Sequence, residues 1–485
     1  MEILKDKDVN TMWEVLKDSI QTAQNLFVPN KIILNNKVRP HTVTIDNNLH
    51  CLLKDKRYLF KFYKKYRTKT AQYNYNIARN KVSFKIKLMK KSKENSIAKN
   101  IKNDPKKFYQ YVASKTVKKE GIYDLIDKDG KLTSDDKEKC DILNSFFSSV
   151  FTIEDTSNIP AFNYDKILPP LETCLITIKD MEDALNNLNA NKSPGPDNIH
   201  PKLLKLCCKT LSIPLKILFD CTINNGCIPN EWKVAEVRPI FKKGDKTNPG
   251  NYRPVSLTPI ICKVFEKFIK NSLNKHLIDN NILSKEQFGF VSGRNTITQL
   301  LVTLNDWMSD LDNDVPVDAA YLDFRKAFDT VPHQRLISKL KTYNIKGPIL
   351  NWINSFLSDR TQFVKINNSS SSNLNVSSGV PQGSVLGPTL FIFFINDLPN
   401  VIKNSSVKIF ADDTKAYNGI NNPEDVTNLQ NVIDEMFLWT QQWLLQFNKE
   451  KCKILHFGKK NPKNKYFIGP EHEKIELTET ELKKI

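Results

Sequence analysis

The sequence predicts a chain of mixed α and β structure, and three observations carry that prediction. From about residue 171, short β-like runs alternate with amphipathic stretches of 12–15 residues, the pattern of an α/β or α+β domain. Val234 to Phe241 and Val317 to Phe324 read as strands, and VKIFADDTKAY (407–417) reads as strand, tight turn, strand, with Asp412 and Asp413 at the bend. Upstream, residues 51–120 look helical, with few breakers before Pro105.

Taken in order, residues 1–50 mix short helical patterns with polar loops, and the basic helical stretch follows. Asp129-Gly130 predicts a turn, and Ile142 to Phe151 form an apolar stretch. A polar segment with Pro160, Pro169 and Pro170 reads as a linker, because prolines break both regular structures. Leu203, Leu206, Leu211, Leu215 and Leu218 are spaced roughly as on helical faces. Pro332 to Tyr343 reads as a helix, since Pro332 suits a first turn and Leu336 and Leu340 share a face. Gly379, Pro381, Gln382, Gly383 and Ser384 predict a tight loop before an apolar helix.

The net charge of +19 over 485 residues points to a polyanionic partner. Residues 51–120 hold 22 Lys/Arg against 4 Asp/Glu, a net of +18, so the remainder is nearly neutral. Aromatics lie among these cations, including Tyr58, Phe60, Phe62, Tyr63, Tyr66, Tyr73, Tyr75 and Phe84. Cations neutralise phosphates and aromatic rings stack on unpaired bases, although a solvated helix pair with inward-packed rings has the same composition. The nine cysteines show no CxxC and no zinc spacing, which fits free thiols in a reducing compartment. The first 30 residues lack a signal-peptide core, and the longest aliphatic-aromatic run, Leu390 to Ile395, is far too short to span a bilayer. The expectation is an intracellular, soluble protein with no membrane partner.

The acids carry the chemistry. Adjacent carboxylates such as Asp412 and Asp413 repel each other unless a cation sits beside them, and hard oxygen ligands suit Mg²⁺. Asp323 lies where the strand beginning at Val317 ends. A two-metal site needs carboxylates from separate elements, and Asp323, Asp412 and Asp413 would supply them. Asp329 fits better as a helix cap or a local ion-pair partner.

Eight segments then resemble, in order, the reverse transcriptases of non-LTR (LINE-type, jockey-like) retrotransposons. They are NKSPGPDNIHPKLLK (191–205), EWKVAEVRPIFKKGD (231–245), NYRPVSLTPIICKVFEKFI (251–269), QFGFVSGRNT (287–296), YLDFRKAFDTV (321–331), GVPQGSVLGPTLFIFFINDLP (379–399), FADDTKAY (410–417) and WLLQFNKEKCKILHFG (443–458). The LNSFFSSVF stretch (143–151) resembles the segment that precedes the polymerase in these elements.

The resemblance implies an α+β right-hand polymerase fold with a basic helical N-terminal extension over 1–165, a helical segment over 166–230 leading into the fingers, and a reverse transcriptase domain over 231–485. Fingers are expected around 171–310 and 330–378, with palm strands near 317–324 and 407–417. It implies an RNA-directed DNA polymerase whose partners are an RNA template, a DNA primer or target and deoxynucleoside triphosphates, with a nuclear location. Asp323 and Asp412 would hold two Mg²⁺ ions, with Asp413 as an auxiliary acid. Lys242, Lys243 and Arg253 would hold the triphosphate, Gln382 and Gly383 would meet the nucleotide or template, Phe328 would stand as a steric gate against the ribose 2′-hydroxyl, and Lys451 would protonate pyrophosphate. Neither the endonuclease nor the helical thumb of such elements is expected within 1–485. Phe328, and Ala411 in place of Gly before the acids, argue against an RNA-directed RNA polymerase. The other rival is an inactive remnant that only binds RNA.

Overall fold

The computed structural model describes residues 7–29, 45–102, 104–115 and 122–480. The chain divides into two compact units, one of Met1–Val28 with Ile122–Ile485 and the other Pro29–Gly121. The boundary expected at residue 165 does not coincide with a boundary between these units.

The larger unit is built on two sheets. In the first, β1 (Val234–Phe241) pairs antiparallel with β2 (Tyr252–Leu257) and parallel with β4 (Arg360–Ile366), which also pairs with short strands at Ser369–Ser370 and Leu374–Val376. In the second, β3 (Val317–Leu322) is the centre, flanked antiparallel by β6 (Asp413–Gly419) and β7 (Lys453–Phe457). The hairpin partner of β6 is β5 (Ser406–Phe410), and Thr478–Glu479 closes the other edge. Successive side chains of a strand point to opposite faces, so β3 feeds two cores. Ala320 and Leu322 join Ala416, Ile454 and the large helical core, whereas Val317 and Ala319 meet Trp307 and Tyr417 in a smaller one. The strand expected over 317–324 ends two residues earlier, and Phe324 instead bridges to Phe447 and stacks on its ring.

The helices follow from local signals. Pro423–Trp443 starts on an Asn422–Asp425 capping box with Pro423 in its first turn. Gly387–Ile395 is apolar on every side and correspondingly buried. The helix read from Pro332 runs His333–Thr342, with Pro332 as its N-cap. The stretch read as a linker is not one in space. Glu154 makes a buried ion pair with Arg335 (3.0 Å), and Leu168 and Cys174 sit in the core, so residues 150–177 pack as irregular chain. α1 (Val9–Phe27) docks on the same unit: Trp13 packs edge-on against Trp232 (5.1 Å), and the Trp13 indole and Lys17 both donate to Glu231. No helix among the described residues is long and apolar enough to cross a membrane, and all nine cysteines are free.

One buried charge is held in an unusual way. Lys339 is fully buried, and its Nζ lies 3.7 Å from the Trp443 ring centroid and 4.7 Å from that of Trp439. It donates to the Phe394 carbonyl (2.6 Å) and to Asp397, whose other oxygen accepts from the Trp439 indole (3.1 Å). Burial lowers the lysine to about 8, against the opposing pull of Asp397. Removing one partner of such a pair strands the other charge without water. Asp397→Ala is expected to cost about 3–5 kcal/mol of stability, read as a lower urea midpoint; an unchanged midpoint would show that the rings alone hold Lys339.

The smaller unit is helical. α2 (Asn47–Tyr66) and α3 (Lys69–Lys99) form a hairpin, and α4 (Pro105–Lys115) follows. Arg67 turns the chain in the left-handed region, and Thr68 caps α3. Among the described residues of the hairpin, only Leu49, Ala71, Ala78 and Val82 are buried. No aromatic side chain among the described residues of this unit is buried; Tyr58, Tyr73, Phe84 and Tyr109 are each more than 60% exposed. Some rings do pack between the helices, Tyr75 of α3 lying 5.2 Å from Phe60 and stacking at 6.2 Å on Tyr63 of α2, while others face outward.

Candidate active site

The site grows out of the second sheet. Thr414 of β6 pairs with Leu322 of β3, so Asp413 and Asp323 adjoin that pair at the same end of adjacent strands, and Asp323 acts electrostatically on Asp413. Phe410 pairs with Asp413, which makes Ala411-Asp412 a two-residue turn. The bend is one residue earlier than expected, and Asp413 opens the returning strand. Ala411 has a φ of 58°, a left-handed conformation at the first turn position that normally selects glycine. The loop 286–289 lies along β5: Ile409 N–H donates to the Glu286 carbonyl (2.9 Å), Phe288 N–H to that of Ile409 (2.8 Å), and Ala411 N–H to Gln287 Oε1 (3.0 Å).

The backbone beyond β3 is pinned as well. Asn448 N–H donates to the Asp323 carbonyl (2.7 Å) and Arg325 N–H to that of Gln446 (2.8 Å). This places Lys451, whose Nζ donates to Asp323 Oδ2 at 3.2 Å. Asp412 is half-buried and its carboxyl is held above the usual range, first by burial, then by Asp413 and by Asp323, with Arg253 opposing. Asp413 is open at its surface yet lies over enough protein that desolvation again leads, followed by Asp323, with Lys242 and Lys415 opposing.

Arg253 (on β2) and Lys242 are thus within electrostatic reach of the acids, and both are exposed. Lys243, exposed beside Lys242, is not among the leading influences on Asp412 or Asp413. Lys326, which sequence reasoning passed over, belongs to the same cluster. Its ammonium is lowered by burial and by Lys451, Lys242 and Arg253, while Asp329 opposes. The only signal for it was its place three residues after Asp323.

The glycine-rich loop straps the segment after Asp323. Gly379 N–H donates to the Val331 carbonyl and Val380 N–H to that of Phe328, both at 2.8 Å. A Cβ on Gly379 would lie 2.7 Å from the Phe328 and Asp329 carbonyls, and one on Gly383 2.5 Å from that of Ser256, so both positions need glycine. Gln382 Nε2 donates to Asp329 Oδ1 (2.8 Å). Asp329 is pushed up to about 6 by burial and pairs here rather than capping a helix. The half-buried Phe328 ring stacks on Phe391 (4.6 Å) and meets Phe290 edge-on. A cavity beside it is lined by Phe328, Asp329, Ser256, Gly379 and Gln382.

Among the described residues, no three His, Cys, Asp or Glu side chains converge tightly enough to ligate one ion together. Mg²⁺ asks for less, binding through one or two carboxylates with water and substrate phosphates. Asp412 and Asp413, whose carboxyls are held above their ordinary range first by burial and then by neighbouring acids, fit that demand together with Asp323.

The family described as reverse transcriptase (RNA-dependent DNA polymerase) matches residues 240–478. A probable RNA-directed DNA polymerase from transposon BS of Drosophila melanogaster is 29% identical over 337 residues, 66% of this chain and 37% of that protein. The RNA-directed DNA polymerase from mobile element jockey of the same organism is 31% identical over 292 residues, 58% of this chain and 32% of that protein. That from transposon X-element is 29% identical over 303 residues, 61% and 33%. The chain thus spans about a third of the length of these relatives. The strand-end acids, the loop that straps the segment after Asp323 and the match over 240–478 agree: residues 240–478 match the reverse transcriptase family, and the chain is similar to the RNA-directed DNA polymerases of the BS, jockey and X-element transposons.

Proposed function

We propose that this chain is an RNA-directed DNA polymerase, transferring deoxynucleotides to a primer 3′-hydroxyl on an RNA template and releasing pyrophosphate. The observation that carries the reading is that Asp413 and Asp323 adjoin the Thr414–Leu322 pair at one end of adjacent strands and act on each other electrostatically, with Asp412 in the adjoining turn and Arg253 and Lys242 acting on the acids. Asp323 and Asp412 would hold two Mg²⁺ ions with Asp413 auxiliary; such ions activate the attacking hydroxyl and offset charge on the phosphates.

The remaining roles are proposals for this chain's own side chains. Arg253, with Lys242 and Lys243, grips the triphosphate, the arginine bidentately and the lysines as point charges. Gln382 and Gly383 bring the loop close to nucleotide or template, and Gly383 lets the backbone approach. Lys451, whose Nζ donates to Asp323, gives a proton to the leaving pyrophosphate. Phe328 bars the ribose 2′-hydroxyl. The basic helices of 51–120 hold RNA by phosphate contacts and exposed rings.

Primer extension with purified protein, a DNA primer and Mg²⁺ tests the reading. Deoxynucleotide addition directed by an RNA template is expected, and no addition with any nucleotide would overturn it. Phe328→Ala is expected to raise ribonucleotide use relative to deoxynucleotide by about 10–200-fold at most, the range for steric discrimination of a small group. An unchanged preference would leave Phe328 as a packing residue of the Phe290–Phe391 cluster.

A further inference from the structure

We propose that Gln287 is a positioning residue for the polymerase site, holding the Ala411-Asp412 turn in the one geometry that presents both aspartates. The proposal rests on the function proposed above, and it concerns how the acids are held rather than what they do.

The turn needs outside support. Ala411 occupies the left-handed region without being glycine, a conformation that persists only where surrounding structure over-determines it. Asp412 and Asp413 add mutual repulsion at the same bend. The support comes from one atom. Gln287 is 1% exposed, and its Oε1 accepts from Ala411 N–H (3.0 Å) and from Gly289 N–H (2.7 Å). The same oxygen therefore ties the strained residue to the loop beside it.

Gly289 completes the contact, because a Cβ there would sit 2.2 Å from the Ala411 nitrogen. Two backbone hydrogen bonds to Ile409 fix the register of that loop one step upstream. Gln287 Nε2 is enclosed and has no partner among the described residues, so it is the acceptor end of the amide that the site uses. A carboxylate could accept the same bonds but would add negative charge beside Asp412 and Asp413. A glutamine accepts without charge.

Gln287 touches no reacting atom, so its loss should act through the acids. Groups that orient metal-binding side chains typically change metal affinity or activity by about 10–100-fold when removed. Gln287→Met keeps the length and removes the acceptor. For this variant, Mn²⁺ binding to the protein alone, followed by electron paramagnetic resonance, is expected to weaken by about 10–100-fold, with kcat falling in the same range. The Kd for primer–template and the KM for deoxynucleotide should stay within a few-fold of wild type.

Wild-type Mn²⁺ affinity in Gln287→Met would overturn the proposal and leave Gln287 as a core residue. If that variant does not unfold cooperatively, Gly289→Ala, which presses on the same nitrogen, decides on the same readouts. Loss of folding in both would overturn it too, since a residue whose loss unfolds the chain is not merely positioning. The outcomes separate from those of the function itself. A wild-type protein that extends no primer fails the function, whereas an active wild type, an inactive Asp412→Asn and a normal Gln287→Met fail only this proposal.

Discussion

Asp412→Asn is expected to slow nucleotide addition by about 10²–10⁴-fold, because metal-borne charge stabilisation supplies several kcal/mol of a transition state. The substitution keeps the shape of the turn and removes an anionic oxygen. Burial, Asp413 and Asp323 all act against the charge on Asp412, and Arg253 alone among the leading influences acts for it outside its own backbone. Neutralising it therefore relieves repulsion, and the thermal midpoint should hold or rise slightly. Single-turnover extension with thermal unfolding of the same sample separates the two effects. Extension within about threefold of wild type would remove Asp412 from the proposed machinery.

The second large effect is electrostatic and lies in the helical unit. If its net +18 over 51–120 neutralises about 6–10 phosphates, RNA affinity should fall by roughly 10³–10⁵ between 50 and 200 mM salt, through counterion release. Joining residue 28 to residue 122 through a flexible linker should flatten that slope while the acids stay in place, because the two halves of the larger unit are then still present. Filter binding of a single-stranded RNA across a salt series measures it. An unchanged slope in the deleted protein would make α2 and α3 a solvated basic surface and nothing more.

These predictions rest on features that were unequally legible in the sequence. Asp323, Asp412 and Asp413 could be found because strands alternate in period two and a pair of acids between two such runs marks a tight turn. The strand pairing that brings them together is a long-range fact, yet two short strands ending in acids left few other ways to assemble them. Gln287 was invisible as a site residue. Its role depends on one oxygen meeting a nitrogen 124 residues away, and the QFGFVSGRNT segment it opens marked a stretch of chain without showing that contact. The segment with Pro160, Pro169 and Pro170 was misread for a related reason. Prolines forbid regular structure but not burial, and Glu154 finds Arg335 only in three dimensions. Lys339 carries no mark in the sequence, because its aromatic surroundings come from elements before and after it in the chain.

The docking of α1 has a consequence for synthesis. Trp13 reaches Glu231 across 218 residues, and between them the chain makes the whole of the second unit. At about 5–20 residues per second, a ribosome leaves Val9, Met12, Trp13, Leu16 and Ile20 without their partner surface for roughly 10–45 s. That apolar stripe waits for Trp232 while the whole of the second unit is made. A chaperone that shields α1 until Trp232 appears should therefore raise the yield of folded protein more than one acting after release.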